Sequence, residues 1–346
     1  MPDVLPYPPG VHVIYDVHAH VVPPALLERI DRDGAQLGVE LSRSAGRLTS
    51  VVGGHTYRGV TDRLVGVEAR LRAMDAAGVD VQLLSSWVGL MGYPLEPEQG
   101  IRWSRLFNEA LAELLAAHPD RFRGLCQVPL QAPSAAATEL AGAVREQGMA
   151  GVEITTTVDG AELDDERLEP FWAAAAELGC LVLVHPDRAL PGRTGPRHFL
   201  ANTVGNAAET TVAAVSLACG GVLERHPGLR ICLVHGGGYV PYQVGRVDHA
   251  YAAVPELAGG GLPHEPGEYL RRLYFDTVTH SPEALRFLLD FAGAEHVVLG
   301  SDYPFEMGDP DPVGTVRRVP GLTDEEFALV VGGNVERLLA KARQLS

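Results

Sequence analysis

A run of β-forming residues, "VIYDVHAHVVPP" (13–24), carries two histidines one residue apart, His18 and His20. Side chains alternate faces along a strand, so residues i and i+2 point the same way. His18 and His20 can therefore aim at one point. Three more residues of metal-binding type end apolar runs in the same manner: His185 in "LVLVHPD", His235 in "CLVHGGG" and Asp302 in "VLGSDYP". Neutral imidazoles with a carboxylate suit Zn2+ or a similar divalent ion. Such an ion polarises oxygen and lowers the pKa of a bound water. A lone histidine at a strand end is ordinarily structural. Five such residues, all ending apolar runs, are not explained that way. The residues alone leave open whether His235 binds the ion or works beside it as acid or base. His118, His226 and His296 fall at helix ends or strand starts and read as structural.

These side chains meet only if the strands bring their C-terminal ends together. Eight apolar, β-branched runs recur, at 11–17, 79–86, 122–130, 150–156, 180–186, 230–237, 273–278 and 296–304. They are continuous rather than alternating, as in parallel strands buried on both faces. Helical patterns lie between them at 63–78, 100–120, 134–148, 164–179, 207–227, 281–293 and 323–342. Ser281 before Pro282, Gly179 after an apolar stretch, and Thr323 three residues before Glu326 are helix-end signals. Eight strand–helix units predict an α/β fold, a (β/α)8 TIM-type barrel. Residues 24–62 break the alternation and are too long for a loop. Within them "GVELSRSAG", "RLTSVVGG" and "HTYRGV" predict short strands, hence a small β-rich insertion after strand 1, above the barrel mouth. Residues 1–346 read as a single barrel domain containing that insertion.

Composition narrows the partners. The net charge of −16 repels phosphate backbones, which excludes nucleic acid. The longest apolar-looking stretch, "VAAVSLACGGVL", is too short to span a bilayer. Cys126, Cys180, Cys219 and Cys232 are widely spaced and read as reduced. The leading "MPDVLPYPPG" has neither a basic nor an apolar region of a secretion signal, so a cytoplasmic location is expected.

The pattern His-x-His, His, His, Asp resembles the amidohydrolase superfamily. "MDAAGVDVQ", "QVPLQ", "LVHP", "HGGG", "GRVD" and "LGSDYPFEMG" resemble its branch of 2-amino-3-carboxymuconate-6-semialdehyde decarboxylases and their relatives. The resemblance runs from His18 to Asn334. It implies one divalent ion, Zn2+ with Mn2+ as the alternative, held by His18, His20, His185 and Asp302 with a water completing the shell. It implies His235 as general acid or base, with Asp302 as a possible proton relay, in non-oxidative decarboxylation of an aromatic or muconate-type acid. Hydrolysis, hydration or cyclising dehydration at the same centre is the alternative. Binuclear relatives carry a lysine at the end of strand 4, and "GVEITTTVDG" has none, which favours one ion and leaves Glu153 as a weak candidate bridge. Arg58 and Arg246 match positions that bind substrate carboxylate. Arg246 reaches the neighbouring subunit's site in the family, which implies a homodimer. Trp87, with Met91 and Tyr93, offers an apolar wall for a planar substrate. The sequence departs from the branch at Arg188 and at His198, near the mouth, where substrates are read.

Overall fold

The structure, a computed structural model, describes residues 11–187 and 197–344. The chain opens with β1 (Tyr15–Val21), α1 (Pro24–Leu37), β2 (Val39–Ser44), β3 (Arg47–Val52) and β4 (His55–Thr61). Alternating units follow: α2 (Val67–Ala77), β5 (Val81–Ser86), α3 (Pro97–Ala117), β6 (Phe122–Cys126), α4 (Pro133–Arg145) and β7 (Gly151–Thr155). A short hairpin, β8 (Thr157–Val158) and β9 (Ala161–Glu162), precedes α5 (Glu169–Leu178) and β10 (Leu181–His185). Then come α6 (Ala207–Cys219), α7 (Val222–Arg225), β11 (Arg230–Leu233), α8 (Val240–Ala253), α9 (Pro266–Leu270) and β12 (Tyr274–Asp276). The last elements are α10 (Pro282–Ala292), β13 (Val297–Val298), α11 (Pro312–Arg317), α12 (Asp324–Ala328) and α13 (Asn334–Gln344).

Eight strands form one parallel sheet in the order β1-β5-β6-β7-β10-β11-β12-β13. The barrel closes where the chain beyond β13 returns to β1. There the Val17 amide donates to Leu299 O at 2.9 Å, His20 to Tyr303 O at 2.8 Å, and Asp302 to His18 O at 2.8 Å. The seam of the barrel therefore runs through the residues that carry the candidate chemistry. Below them Val17, Leu83, Leu125, Leu183, Cys232 and Val298 fill the interior. Outside, helices pack Trp103, Phe107 and Trp172 against the strands.

The eight expected strands are all present, with two adjustments. The first begins at Tyr15 and runs to Val21, so His18 and His20 lie within it rather than past its end. Strand eight is short, and Asp302 follows it. Residues 24–62 are not strands throughout: α1 occupies 24–37, burying Leu26, Ile30 and Leu37 on one face and stopping at left-handed Gly38. The strands β2, β3 and β4 then pair antiparallel. Helix α8 was not expected; it buries only Val240 and Val244, so its apolar periodicity is weak.

One polar network braces the seam. Asp16 is fully buried and accepts from the amides of His18 and Ser301, the Ser301 hydroxyl and Gln82 Nε2. Burial pushes its carboxyl up, and those donors ease it back. Arg70 of α2 donates to Gln82 Oε1 at 3.1 Å and to His20 O at 2.5 Å, with its guanidinium 4.7 Å from the Tyr303 ring centre. Burial lowers its pKa to about 10, which leaves it charged at neutral pH. Removing the guanidinium strands the His20 carbonyl and leaves Asp16 without its nearby cation. Arg70→Ala is therefore expected to cost about 3–5 kcal/mol in urea unfolding, the usual penalty for breaking a buried ionic contact. A cost under about 1 kcal/mol, as at an exposed pair, would contradict this role.

Candidate metal centre

Three imidazoles enter from two strands and are each oriented from behind. His18 Nδ1 donates to Asp276 Oδ2 at 2.6 Å, His20 Nδ1 to Ser86 O at 2.8 Å, and His185 Nδ1 to Pro186 O at 2.8 Å. All three acceptors are oxygens, so the proton of each neutral ring sits on Nδ1. The Nε2 atoms then carry lone pairs. His18 Nε2 and His20 Nε2 are 3.1 Å apart, and Asp302 Oδ1 lies 3.4 and 3.3 Å from them. With the rings neutral, as metal ligation requires, none of these atoms can donate to another. His185 Nε2 and Asp302 Oδ1 are buried with no hydrogen-bond partner. Lone pairs converging in a buried space repel unless a cation sits among them. His18, His20, His185 and Asp302 offer one ligand atom each, all within 4.8 Å of one another. This donor set fits a divalent ion.

His235 completes the ring of imidazoles. Its centroid is 5.3 Å from His18 and 5.2 Å from His185, and its Nε2 is 3.5 Å from Asp302 Oδ2. Its Nδ1 has no partner. His235 and Asp302 both adopt φ of 55°, a left-handed conformation that non-glycine residues rarely hold. Glycines follow His235, and Gly238 has room for no side chain: a Cβ there would sit 2.1 Å from Ala207 O.

The charges are mutually dependent. Burial opposes ionisation of Asp302, but His18, His20 and His235 outweigh it and hold the carboxyl well below the usual range. Burial and the neighbouring imidazoles keep His185 neutral to well below the ordinary histidine value. Burial also disfavours charge on His20, yet Glu153 and Asp302 raise it to about 8. Glu153 is pushed up to about 7, chiefly by burial and against the pull of His20. Burial opposes charge on His235 as well, and Asp302 and Asp276 raise it overall.

The remaining sequence candidates stand outside this buried group. Trp87 is buried directly after Ser86, whose carbonyl orients His20, and meets the ring of Tyr57 edge-on at 6.2 Å. Arg58 is exposed on β4 and Arg246 is exposed on α8; neither has an ion-pair partner among the described residues. His198 is exposed on the turn 197–199. Arg188 lies outside the described residues. Glu153 is buried on β7 but is not one of the four converging groups. Sequence reasoning passed over Asp276, which holds His18 and also accepts from the Gly236 amide at 2.8 Å. Its signal was available: it ends the strand-like run "LYFD" as Asp302 follows its own.

The sequence pattern of the amidohydrolase family matches residues 15–341. The chain is 30% identical over 328 residues to the 2-amino-3-carboxymuconate-6-semialdehyde decarboxylase of Dictyostelium discoideum, covering 94% of this chain and 90% of that one. Its fold superposes on the 5-carboxyvanillate decarboxylase of Sphingomonas paucimobilis with a TM-score of 0.79 and 25% identity, covering 95% and 99% of the two chains. The dihydroxybenzoic acid decarboxylase of a Polaromonas species, crystallised with manganese and an inhibitor, has the same fold at a TM-score of 0.76 and 22% identity, covering 95% and 97%. Because the family match begins on the first barrel strand and runs into the last helix, this chain belongs to the amidohydrolase family.

Proposed function

We propose that this protein is a metal-dependent, non-oxidative decarboxylase of an aromatic or muconate-type carboxylic acid, working as a barrel domain in the cytoplasm. The observation that carries the reading is the convergence of His18, His20, His185 and Asp302, one ligand atom each, with His235 alongside. The decarboxylases matched along nearly the whole chain supply the reaction class. His18, His20, His185 and Asp302 hold one divalent ion, Zn2+ or the Mn2+ seen in the Polaromonas protein. When bound, that ion draws electron density from substrate oxygens and eases loss of a proton from water.

Loss of CO2 breaks a C–C bond and leaves the electron pair on carbon, which must then take a proton. In this reading His235 supplies it. Its side chain is 19% exposed, whereas those of His18 and His20 are fully buried, so it can reach a molecule above the ion. Asp302 accepts beside it and can pass the proton on. Arg58 and Arg246 bind substrate carboxylate through their planar forks. An arginine left unpaired in a chain of net charge −16 is available to an anion. Trp87 gives the ring an apolar wall, and His198 borders the mouth.

Arg246 serves the neighbouring subunit's site, so the active unit is a homodimer. Seven of the eight exposed large hydrophobic residues among those described fall between 199 and 257, including Tyr242 at 81% and Leu257 at 82% exposure. Tyr242 lies on α8, the helix that carries Arg246, with Tyr239, Val254 and Leu257 flanking it, and exposed apolar side chains there suit a second copy of the chain.

Three measurements follow. Across a panel of aromatic and muconate-type acids, the native protein should release one CO2 per acid consumed and lose this activity on chelation. Acid consumed without CO2 would favour the hydrolytic or dehydrating alternative. His235→Asn should lower kcat by about 10²–10⁴, the usual contribution of a positioned acid, while metal content stays at the native level. Unchanged kcat would remove His235 from the chemistry. Tyr242→Asp should shift sedimentation from dimer to monomer and depress activity through loss of Arg246 from the opposite site; a monomeric native protein would overturn the dimer.

A further inference from the structure

Glu153 is a charge the chemistry above does not use. It sits on β7 in register with Leu183 of β10, inside the barrel. It is fully buried; the Ser85 hydroxyl is the one donor beside it, and neither carboxylate oxygen is held by a well-formed hydrogen bond. Two other buried carboxylates of the barrel, outside the ligand set, are answered: Asp16 by Ser301 and Gln82, Asp276 by His18 and Gly236. A buried carboxylate without a well-formed hydrogen bond or a cation is costly unless something else compensates it. Its Oε1 lies 3.8 Å from His20 Nδ1, the ring atom facing away from the other ligand atoms. The Ser85 hydroxyl is 3.4 Å from that same nitrogen, and the buried Tyr93 hydroxyl also lacks a partner.

We infer that Glu153 is the uncoordinated counter-charge of the metal centre, a positioning residue that strengthens metal retention through His20 without ligating the ion. The inference rests on the metal reading given above. Three neutral imidazoles and Asp302 leave a divalent ion with one excess positive charge. A carboxylate behind His20 offsets that excess across a single ring and makes the imidazole a stronger donor. In return the ion supplies the positive charge that the carboxylate lacks. The position on the Nδ1 side, away from the converging Nε2 atoms, keeps Glu153 out of the coordination shell.

Glu153→Gln keeps the shape and removes the charge. Zn2+ and Mn2+ affinities of the stripped protein would be measured by competition with a chromophoric chelator, alongside urea unfolding of the metal-free form. Affinity should fall about ten- to hundredfold, as for other residues that support a ligating histidine. Metal-free stability should change little, because without the ion burial already pushes Glu153 up to about 7 and His20 offsets what charge remains. Glu153→Asp, which keeps the charge, should retain more affinity than Glu153→Gln. Affinities within twofold of native in Glu153→Gln would overturn the inference. So would equal losses in both variants accompanied by lost metal-free stability, the mark of a packing role. A native chain that binds no divalent ion would overturn both this inference and the metal reading. A native chain that binds metal and releases no CO2 would overturn only the decarboxylase reading.

Discussion

Mutual repulsion among lone pairs is the constraint on which the rest of this molecule turns. His18, His20 and His185 each spend the Nδ1 proton on an oxygen behind them. That choice of tautomer leaves three nitrogen lone pairs and a carboxylate facing one another in a buried space. Such an arrangement persists only when the surrounding fold over-determines it. Here the acceptors come from three separate strand ends. Asp276 also receives the amides of Gly236 and Val278. The same contact that orients His18 therefore shapes the turn that presents His235.

Closure of the barrel and construction of the site are one event. The bonds that join the end of the sheet to its beginning use the backbone of His18, His20 and Asp302. Side chains from residues nearly three hundred positions apart in sequence thus become neighbours because their backbones are paired. Arg70 adds a third connection by capping the His20 carbonyl from the helical layer. Backbone strain at His235 and Asp302 falls where functional strain is expected, on the short turns leaving the strands.

The small sheet β2–β4 belongs to the mouth as much as to the insertion. Ser50 donates to Gly89 O at 2.5 Å, the Tyr57 hydroxyl donates to Asp187 at 2.5 Å, and Arg47 pairs with Glu306. These ties fasten it to the loops after β5, β10 and β13. Asp187 lies two residues past His185, so the sheet is anchored close to the candidate ligands.

Local chemistry in the sequence determined the eight strands, most of the helices, and the side chains able to bind a metal. Continuous apolar runs and strand-end histidines are properties of single segments, and they survive folding because both faces of a parallel strand are buried. Helix α8 escaped detection because it buries so little. Only tertiary structure decided how the rings of His18 and His20 are oriented, since Asp276 and Ser86 O reach them through the fold, whereas His185 turns to the carbonyl of its own neighbour Pro186. It also decided that Glu153 would be a fully buried carboxylate behind His20: burial and proximity are relations between strands, and no single stretch of sequence contains them.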